Sequence, residues 1–205
     1  NGDKEAVDRI IEHPDVKAVS FVGSTPIAKY VYAGATANGK RAQGMGGAKN
    51  HMIVLPDADL DMAADAAVSA AYGSAGERCM AISVVVAVGD IGDQLVEAIR
   101  VRMEKLVIGP GTDPASEMGP LITAEARDRV ARYVQAGADA GSTVVVDGRE
   151  QQFDGDGFFL GVSLLDHVTT DMSGYTDEIF GPVLSVVRAE TYAEGAQLIR
   201  DNPFG

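Results

Sequence analysis

The sequence has little cysteine, little histidine and few positive charges. Its one cysteine, Cys79, excludes an internal disulfide and zinc sites built from cysteine pairs, and it fits a reducing compartment. Its three histidines are scattered without ligand spacing, so we expect no metal site. A formal charge of −13 argues against nucleic acid or an anionic membrane surface as a partner, because like charges repel each other.

Long hydrophobic runs are absent as well. No stretch approaches the roughly 20 apolar residues of a membrane span, and the N-terminus lacks the regions of a signal peptide. We therefore expect a soluble, cytoplasmic protein. The chain starts on Asn1 and stops on the turn signal NPFG, so we expect a piece of a longer protein.

What is present is an alternation of helical and strand patterns. Apolar spacing and capping residues predict helices at 4–12, 26–37, 59–73, 91–106, 123–137 and 192–201. Strand patterns fall at 18–22, 41–45, 52–55, 83–88, 143–146, 158–164 and 183–188. We expect the first strand to be buried, and the second helix to place Ile27, Tyr30 and Val31 on one face. The alternation predicts the α/β class.

A change of composition at Gly46-Gly47 marks a candidate domain boundary. The two glycines follow the strand pattern at 41–45 and provide backbone freedom that larger residues lack. We therefore expect one domain at 1–45 and a second at 46–205.

The turn Gly23-Ser24-Thr25-Pro26 joins a strand pattern to a helical one. In doubly wound α/β sheets such turns bind phosphates, because free backbone N–H groups and the helix dipole point at the ligand. An ordinary turn with a good helix cap explains the same residues. The turn by itself leaves both interpretations open.

The segment AAYGSAGERCMAISVVVAV, at 70–88, surrounds the lone cysteine with small residues and places Arg78 beside it. A thiol reacts as thiolate, and a neighbouring guanidinium is one means of stabilising that anion. The alternative is that Cys79 is a buried, inert hydrophobic residue.

Four segments taken together resemble the aldehyde dehydrogenase superfamily: FVGST at 21–25, GGAKN at 46–50, GERC at 76–79 and EIFGP at 178–182. MGPLIT at 118–123 and DNPFG at 201–205 extend the resemblance over nearly the whole chain. AKNH at 48–51 and ERCMA at 77–81 look most like the methylmalonate-semialdehyde dehydrogenase branch, which is CoA-acylating. The resemblance implies the end of a Rossmann-type cofactor domain at 1–45 and an incomplete α/β catalytic domain at 46–205.

The resemblance implies that Cys79 is the nucleophile. It would attack the aldehyde carbon to give a thiohemiacetal, and hydride transfer to NAD would leave a thioester on its sulfur. The backbone N–H of Cys79 would form half of the oxyanion hole, and the family places the other half upstream of residue 1.

The resemblance also implies the cofactor contacts. Glu178 would accept hydrogen bonds from the two hydroxyls of the nicotinamide ribose, and Phe180 would pack near the nicotinamide ring. Gly23 and Ser24 would contact the cofactor phosphates through backbone N–H groups. On sequence grounds alone, Glu178 is also explained as a solvated loop carboxylate.

One departure from the family pattern concerns the release of the acyl group. Hydrolytic members carry a glutamate just before the segment that resembles 46–49, whereas this chain has Met45 or, with a shift of one residue, Gly44. Neither can take a proton from water. A CoA thiol is nucleophilic without such a base, so the absence favours CoA as co-substrate.

Arg78 has three candidate roles. It could lower the pKa of the neighbouring thiol, hold the carboxylate of malonate or methylmalonate semialdehyde, or form a surface ion pair with Glu77 or a nearby aspartate. The family implies the second role, together with another arginine upstream of residue 1.

Three functions follow. The first is NAD-dependent oxidation of methylmalonate or malonate semialdehyde with decarboxylation and acyl transfer to CoA, giving propionyl-CoA or acetyl-CoA; the family implies valine or inositol catabolism as the setting. The second is a hydrolytic aldehyde dehydrogenase with another base. The third is that the chain is catalytically silent by itself and binds NAD poorly. The resemblance implies a homo-oligomer, a tetramer in the family, for the full-length protein.

Overall fold

The structure, a computed structural model, describes residues 2–204. The chain divides into two compact units, Asn1–Ala48 and Lys49–Gly205. The division therefore falls a few residues beyond Met45, after the paired glycines rather than before them.

The first unit is a β-α-β unit preceded by a helix. Its elements are α1 (Lys4–Glu12), β1 (Ala18–Val22), α2 (Thr25–Ala37) and β2 (Arg41–Met45). The two strands pair in parallel, from Ala18 opposite Arg41 to Val22 opposite Met45. Helix α2 provides the crossover that parallel pairing requires.

Two details of the first unit differ from expectation. Ile27 and Tyr30 are 48% and 41% exposed, because α2 buries the narrower stripe formed by Ala28, Val31 and Ala35. Strand β1 alternates between exposed and half-buried residues instead of being buried. The reason is that β1 has β2 as its one strand neighbour among residues 2–204, so much of its surface stays uncovered.

The second unit is a five-stranded sheet flanked by helices. Its elements are β3 (Asn50–Val54), α3 (Leu60–Tyr72), β4 (Ile82–Val88), α4 (Gly92–Met103), α5 (Ala124–Asp139), β5 (Thr143–Val146), β6 (Ser163–Asp166), α6 (Ser173–Thr176), β7 (Val183–Ala189) and α7 (Tyr192–Asp201). The strand order is β3-β4-β7-β6-β5. All neighbours are parallel except β5, which runs antiparallel to β6.

Strand β4 forms the centre of the core. Val84, Val85, Val86 and Ala87 are fully buried, since both faces of a parallel sheet are covered by helices. This explains why β4 reads as a continuous apolar run. Helices α3 and α4 pack against each other beside it.

The strand expected at 158–164 is shifted to Ser163–Asp166. The preceding backbone makes its hydrogen bonds elsewhere: the carbonyl of Phe158 accepts from the Leu121 N–H, and the Gly161 N–H donates to the Gly148 carbonyl. Local residue type predicted a strand here, but these loop contacts replace the ladder.

The parallel arrangement of β3, β4 and β7 determines where the site lies. Their amino-terminal ends meet at one edge of the sheet. The segments that lead into these ends contain Lys49, Cys79 and Glu178. Residues separated by more than half of the chain are thereby collected at one edge.

Candidate active site

Cys79 lies in a short turn between the 3-10 turn Gly73–Gly76 and β4. It is exposed, so the alternative that Cys79 is buried is wrong. A hydrogen bond of 3.0 Å from the Ala81 N–H to the Arg78 carbonyl closes the turn. The Asn50 side chain donates to the carbonyl of Cys79 itself, a contact that no sequence pattern predicts.

The backbone before Cys79 adopts a conformation that is rare for residues with side chains. Ser74 and Ala75 have φ of 52° and 54°, and Gly76 follows with φ of 68°. Left-handed residues other than glycine are strained, and such strain concentrates at functional sites. The run turns the chain out of α3 and presents Cys79 at the surface.

Gly76 lies directly against the segment that contains Glu178. A β-carbon at position 76 would overlap the carbonyl of Gly181, so glycine is required there. Gly181 is in turn packed against Val130 of α5. The thiol turn and the 178–182 segment are therefore neighbours in the second unit.

The 178–182 segment places a carboxylate and an aromatic ring near this turn. Glu178 is half-buried, and Phe180 is 38% exposed with a left-handed φ of 53°. The left-handed backbone at Phe180 keeps a large apolar ring on the surface of the loop, between the buried side chains of Ile179 and Val183. An exposed aromatic ring offers a contact surface for a planar ligand.

Lys49 is the residue of this site that the sequence analysis did not single out. It is 4% exposed, and its Nζ donates to the Asp177 carbonyl at 2.6 Å. Burial lowers the pKa of Lys49 from 10.5 to about 8, and attraction to Asp177 and Glu178 offsets part of that effect. Its place in AKNH directly before a strand pattern is the one sequence signal that points to it, and a solvated or capping lysine explains that position equally well.

Arg78 is exposed, and its guanidinium lies at the end of α3. Its Nη2 donates to the Ser69 carbonyl at 3.1 Å, and the guanidinium lies across Gly73 at the carboxyl end of α3. A cation is favourable there, because the last carbonyls of a helix carry partial negative charge. Within residues 2–204, Arg78 forms no ion pair, so the alternative of a surface pair with Glu77 or a nearby aspartate is not observed.

Glu77 is a second acidic residue close to the thiol in sequence. It is half-buried, and its Oε1 accepts from the Ile122 N–H at 3.4 Å. Burial raises the pKa of Glu77, while the Ile122 N–H and the charge of Arg129 act in the opposite direction. A carboxylate of raised pKa is a better proton acceptor than a solvated one.

The turn at Gly23 and Ser24 belongs to the first unit. The Gly23 N–H donates to the Met45 carbonyl at 3.1 Å, so it is already used within the fold. Ser24 is the N-cap of α2, but its side chain makes no capping bond, and Pro26 lies in the first turn. A phosphate contact at this turn would therefore rest on Ser24 rather than on the Gly23 N–H.

Two general features of the described residues also bear on function. No group of three or more His, Cys, Asp or Glu side chains in 2–204 is arranged to hold a metal ion. Over the same residues, no helix combines the length and apolar character needed to cross a bilayer.

Comparison with protein families gives one match that covers the whole chain. The model of the Aldehyde dehydrogenase family matches residues 1–205. Among curated proteins, the malonate-semialdehyde dehydrogenase of Pseudomonas aeruginosa is 54% identical over 208 aligned residues. That alignment covers 100% of this chain and 42% of the relative, so the chain spans about two fifths of the relative's length.

Solved structures give the same family. The methylmalonate-semialdehyde dehydrogenase of Oceanimonas doudoroffii matches with a TM-score of 0.98 at 53% identity, covering 100% of this chain and 43% of that one. A betaine aldehyde dehydrogenase of Staphylococcus aureus, solved in complex with NAD+, matches with a TM-score of 0.91 at 32% identity. The second match covers 97% of this chain and 40% of that protein.

Proposed function

We propose that this chain, which belongs to the aldehyde dehydrogenase family, provides the thiol of an NAD-dependent oxidation of malonate or methylmalonate semialdehyde with acyl transfer to CoA. The observation that carries the proposal is the exposed Cys79, set on a strained turn whose Gly76 contacts the 178–182 segment. The names of the relatives from Pseudomonas aeruginosa and Oceanimonas doudoroffii support this choice of substrate.

Cys79 acts as the nucleophile. Its thiolate forms a C–S bond to the aldehyde carbon, and the carbonyl electron pair moves to oxygen, where the Cys79 backbone N–H stabilises the charge. Bound NAD would accept the hydride from that carbon. The thioester left on Cys79 still carries the substrate carboxylate, which leaves as CO2 while a proton takes its place on the α-carbon. The CoA thiol then attacks the thioester carbonyl, which breaks the C–S bond to Cys79, restores the free cysteine and gives acetyl-CoA or propionyl-CoA.

The 178–182 segment fits the ribose and nicotinamide of such a cofactor. Glu178 offers paired acceptor oxygens for two hydroxyls, and the exposed Phe180 ring offers a flat apolar surface. Lys49 holds the carbonyl of the preceding Asp177, which orients the start of this segment. In the first unit, Ser24 at the start of α2 is suited to a phosphate.

Arg78 holds the substrate carboxylate in this proposal. Its hydrogen bond to Ser69 uses one N–H, and the exposed guanidinium has further donors for a carboxylate. Arg78→Gln should raise the KM for malonate semialdehyde about tenfold or more. The KM for an uncharged aldehyde of similar size should change little, and an equal rise for both would contradict this role.

Acyl transfer to CoA is favoured by the residues at the position of the hydrolytic glutamate. Met45 and Gly44 have no group that can take a proton from water. The second candidate is hydrolysis, and Glu77 supports it, because its raised pKa suits a general base two residues from the thiol.

The experiment measures NADH and acyl-CoA production from malonate and methylmalonate semialdehydes, with and without CoA. We expect CoA-dependent turnover that yields acetyl-CoA or propionyl-CoA and disappears in Cys79→Ala. Turnover at the same rate without CoA, and lost in Glu77→Gln, would instead favour hydrolysis. Unimpaired NADH production by Cys79→Ala would overturn both candidates.

A separate measurement covers the case of a chain that is silent by itself. An aldehyde that forms a thiohemiacetal on Cys79 protects the thiol from iodoacetamide without any turnover. We expect malonate semialdehyde to protect the unsubstituted chain. NAD titration in the same sample shows whether residues 1–205 bind the cofactor. If the thiol is protected but no NADH forms, the chain by itself carries out the attack of Cys79 on the aldehyde and not the oxidation.

A further inference from the structure

Asn50, the first residue of β3, reaches across to the thiol turn. Its Nδ2 donates to the carbonyl of Cys79 at 2.8 Å and to the carbonyl of Ala81 at 2.9 Å. A side-chain amide has two N–H donors, and here both are directed at carbonyls on either side of Met80.

This contact begins where regular pairing between β3 and β4 stops. Asn50 is opposite Ile82, and the register shifts between Asn50 and His51. The main-chain ladder therefore does not continue into the thiol turn. The Asn50 side chain provides the hydrogen bonds that the backbone of β3 cannot extend to residues 79–81.

Packing does little to hold the turn in place. Arg78, Cys79 and Met80 are all exposed, and Met80 is 79% exposed. Besides the two bonds from Asn50, the hydrogen bond from the Ala81 N–H to the Arg78 carbonyl closes the turn. The position of the sulfur thus depends on hydrogen bonds rather than on a buried side chain.

One acceptor of the Asn50 side chain is the carbonyl of Cys79, so this contact bears directly on the position of the thiol. The Cys79 carbonyl belongs to the residue that bears the thiol. Holding the peptide plane of this carbonyl restricts rotation about the adjacent Cα–C bond of Cys79, and with it the direction of the Cα–Cβ bond. A reactive group that is not held in the geometry of attack loses much of the rate enhancement that this geometry provides.

We propose that Asn50 is the positioning residue for Cys79: by clamping the carbonyls of Cys79 and Ala81, it holds the thiol in the orientation needed for attack. The proposal rests on the proposed function, in which Cys79 is the nucleophile. Asn50 does not contact the substrate in this role and acts through the backbone of the thiol turn.

The test uses the 205-residue chain and two readouts that need no turnover. The first is hydrogen exchange of the Ala81 amide, followed by NMR, because this N–H closes the turn. In Asn50→Ala we expect exchange about tenfold faster at Ala81 and unchanged exchange in Val84–Val88. Ser83→Ala is the matched control, since the Ser83 hydroxyl donates at 3.4 Å to the main-chain carbonyl of Asn50 and leaves its side chain untouched.

The second readout is the pH profile of Cys79 alkylation by iodoacetamide. Asn50→Asp is isosteric, but its carboxylate faces two carbonyls and lies close to the thiolate, so we expect the midpoint to rise by about one unit. Asn50→Ala adds no charge and should keep the midpoint. Equal midpoints in the two variants would mean that the side chain at position 50 does not lie near the sulfur, which contradicts the inference.

Two results of the exchange measurement would also overturn the inference: an unchanged Ala81 exchange rate in Asn50→Ala, or a faster exchange spread evenly over β4 and β7. The latter would mean a general loss of stability. A failure of acyl transfer in the unsubstituted chain bears on the proposed function only, because alkylation and exchange report on the thiol turn without substrate.

Discussion

The Cα of Gly76 lies so close to the carbonyl oxygen of Gly181 that no side chain fits at position 76. One residue belongs to the turn that leads to Cys79, and the other follows Glu178 and Phe180. Contact between two glycine backbones therefore brings the thiol turn against the 178–182 segment. Because the two segments lie far apart along the chain, the sequence does not predict this contact.

Substitution of Gly76 should strongly destabilise the folded chain. In Gly76→Ala the β-carbon meets the Gly181 carbonyl, and the residue must also keep a φ of 68°, so we expect the free energy of unfolding to fall by about 2 kcal/mol or more. Urea denaturation measures it. Gly111→Ala is the control, because nothing lies within 4 Å of a β-carbon there. Equal stability of the two variants would contradict the close contact.

Lys49 should make stability depend on pH in alkaline solution. Its pKa is about 8 in the folded chain and 10.5 in the reference state, so between these values the unfolded chain binds more protons. Below pH 8 the charged, buried Lys49 amine destabilises the folded chain. As the pH increases through this window the penalty disappears, and the free energy of unfolding rises by about 3 kcal/mol. Lys49→Met should flatten the slope.

The measurement for Lys49 is urea denaturation from neutral pH to about pH 9.5, below the range where tyrosines ionise in the unfolded chain. Lys105→Met, at an exposed position, is the matched control and should retain the slope. A slope that is the same in Lys49→Met and in the unsubstituted chain would show that Lys49 is not buried as a charged group.

Arg188 should stabilise the second unit through a buried carboxylate. Its Nη2 donates to Asp166 at 2.6 Å and to Asp93 at 3.0 Å, and the side chains of these partners are 6% and 92% exposed. Arg188→Met leaves Asp166 buried without its cation, so we expect a loss of about 3 kcal/mol in thermal or urea unfolding. Asp93→Ala should change stability by less than about 0.5 kcal/mol. A larger loss of stability in Asp93→Ala than in Arg188→Met would contradict the stabilising role given to the buried Asp166 pair.

Cys79 should be fully accessible in the native chain. Because it is exposed and is the one cysteine in the sequence, a thiol reagent should modify one equivalent without denaturant. Mass spectrometry counts the adducts, and a sample in urea gives the maximum. Modification that requires urea would mean that the thiol is covered in solution.

Local structure was predictable wherever residues close in sequence decide it. Asp59 and Thr123 accept hydrogen bonds from Met62 and Ala126, as expected of N-caps. The helix at Lys4–Glu12 and the strand at Arg41–Met45 have the predicted bounds. The strand expected at 158–164 failed, because loop contacts with Leu121 and Gly148 compete for its backbone.

The sequence by itself determined the α/β class, the helix caps and the family, because capping, periodicity and short motifs depend on neighbouring residues. It also singled out Cys79, Arg78, Glu178 and Phe180, whose roles stay predictions. Tertiary structure decided that Cys79 is exposed, that Gly76 meets Gly181, and that Lys49 and Asn50 reach two different loops from the start of β3. These contacts arise because parallel pairing places the amino ends of distant strands at one edge, and pairing between distant segments is not encoded in either segment alone.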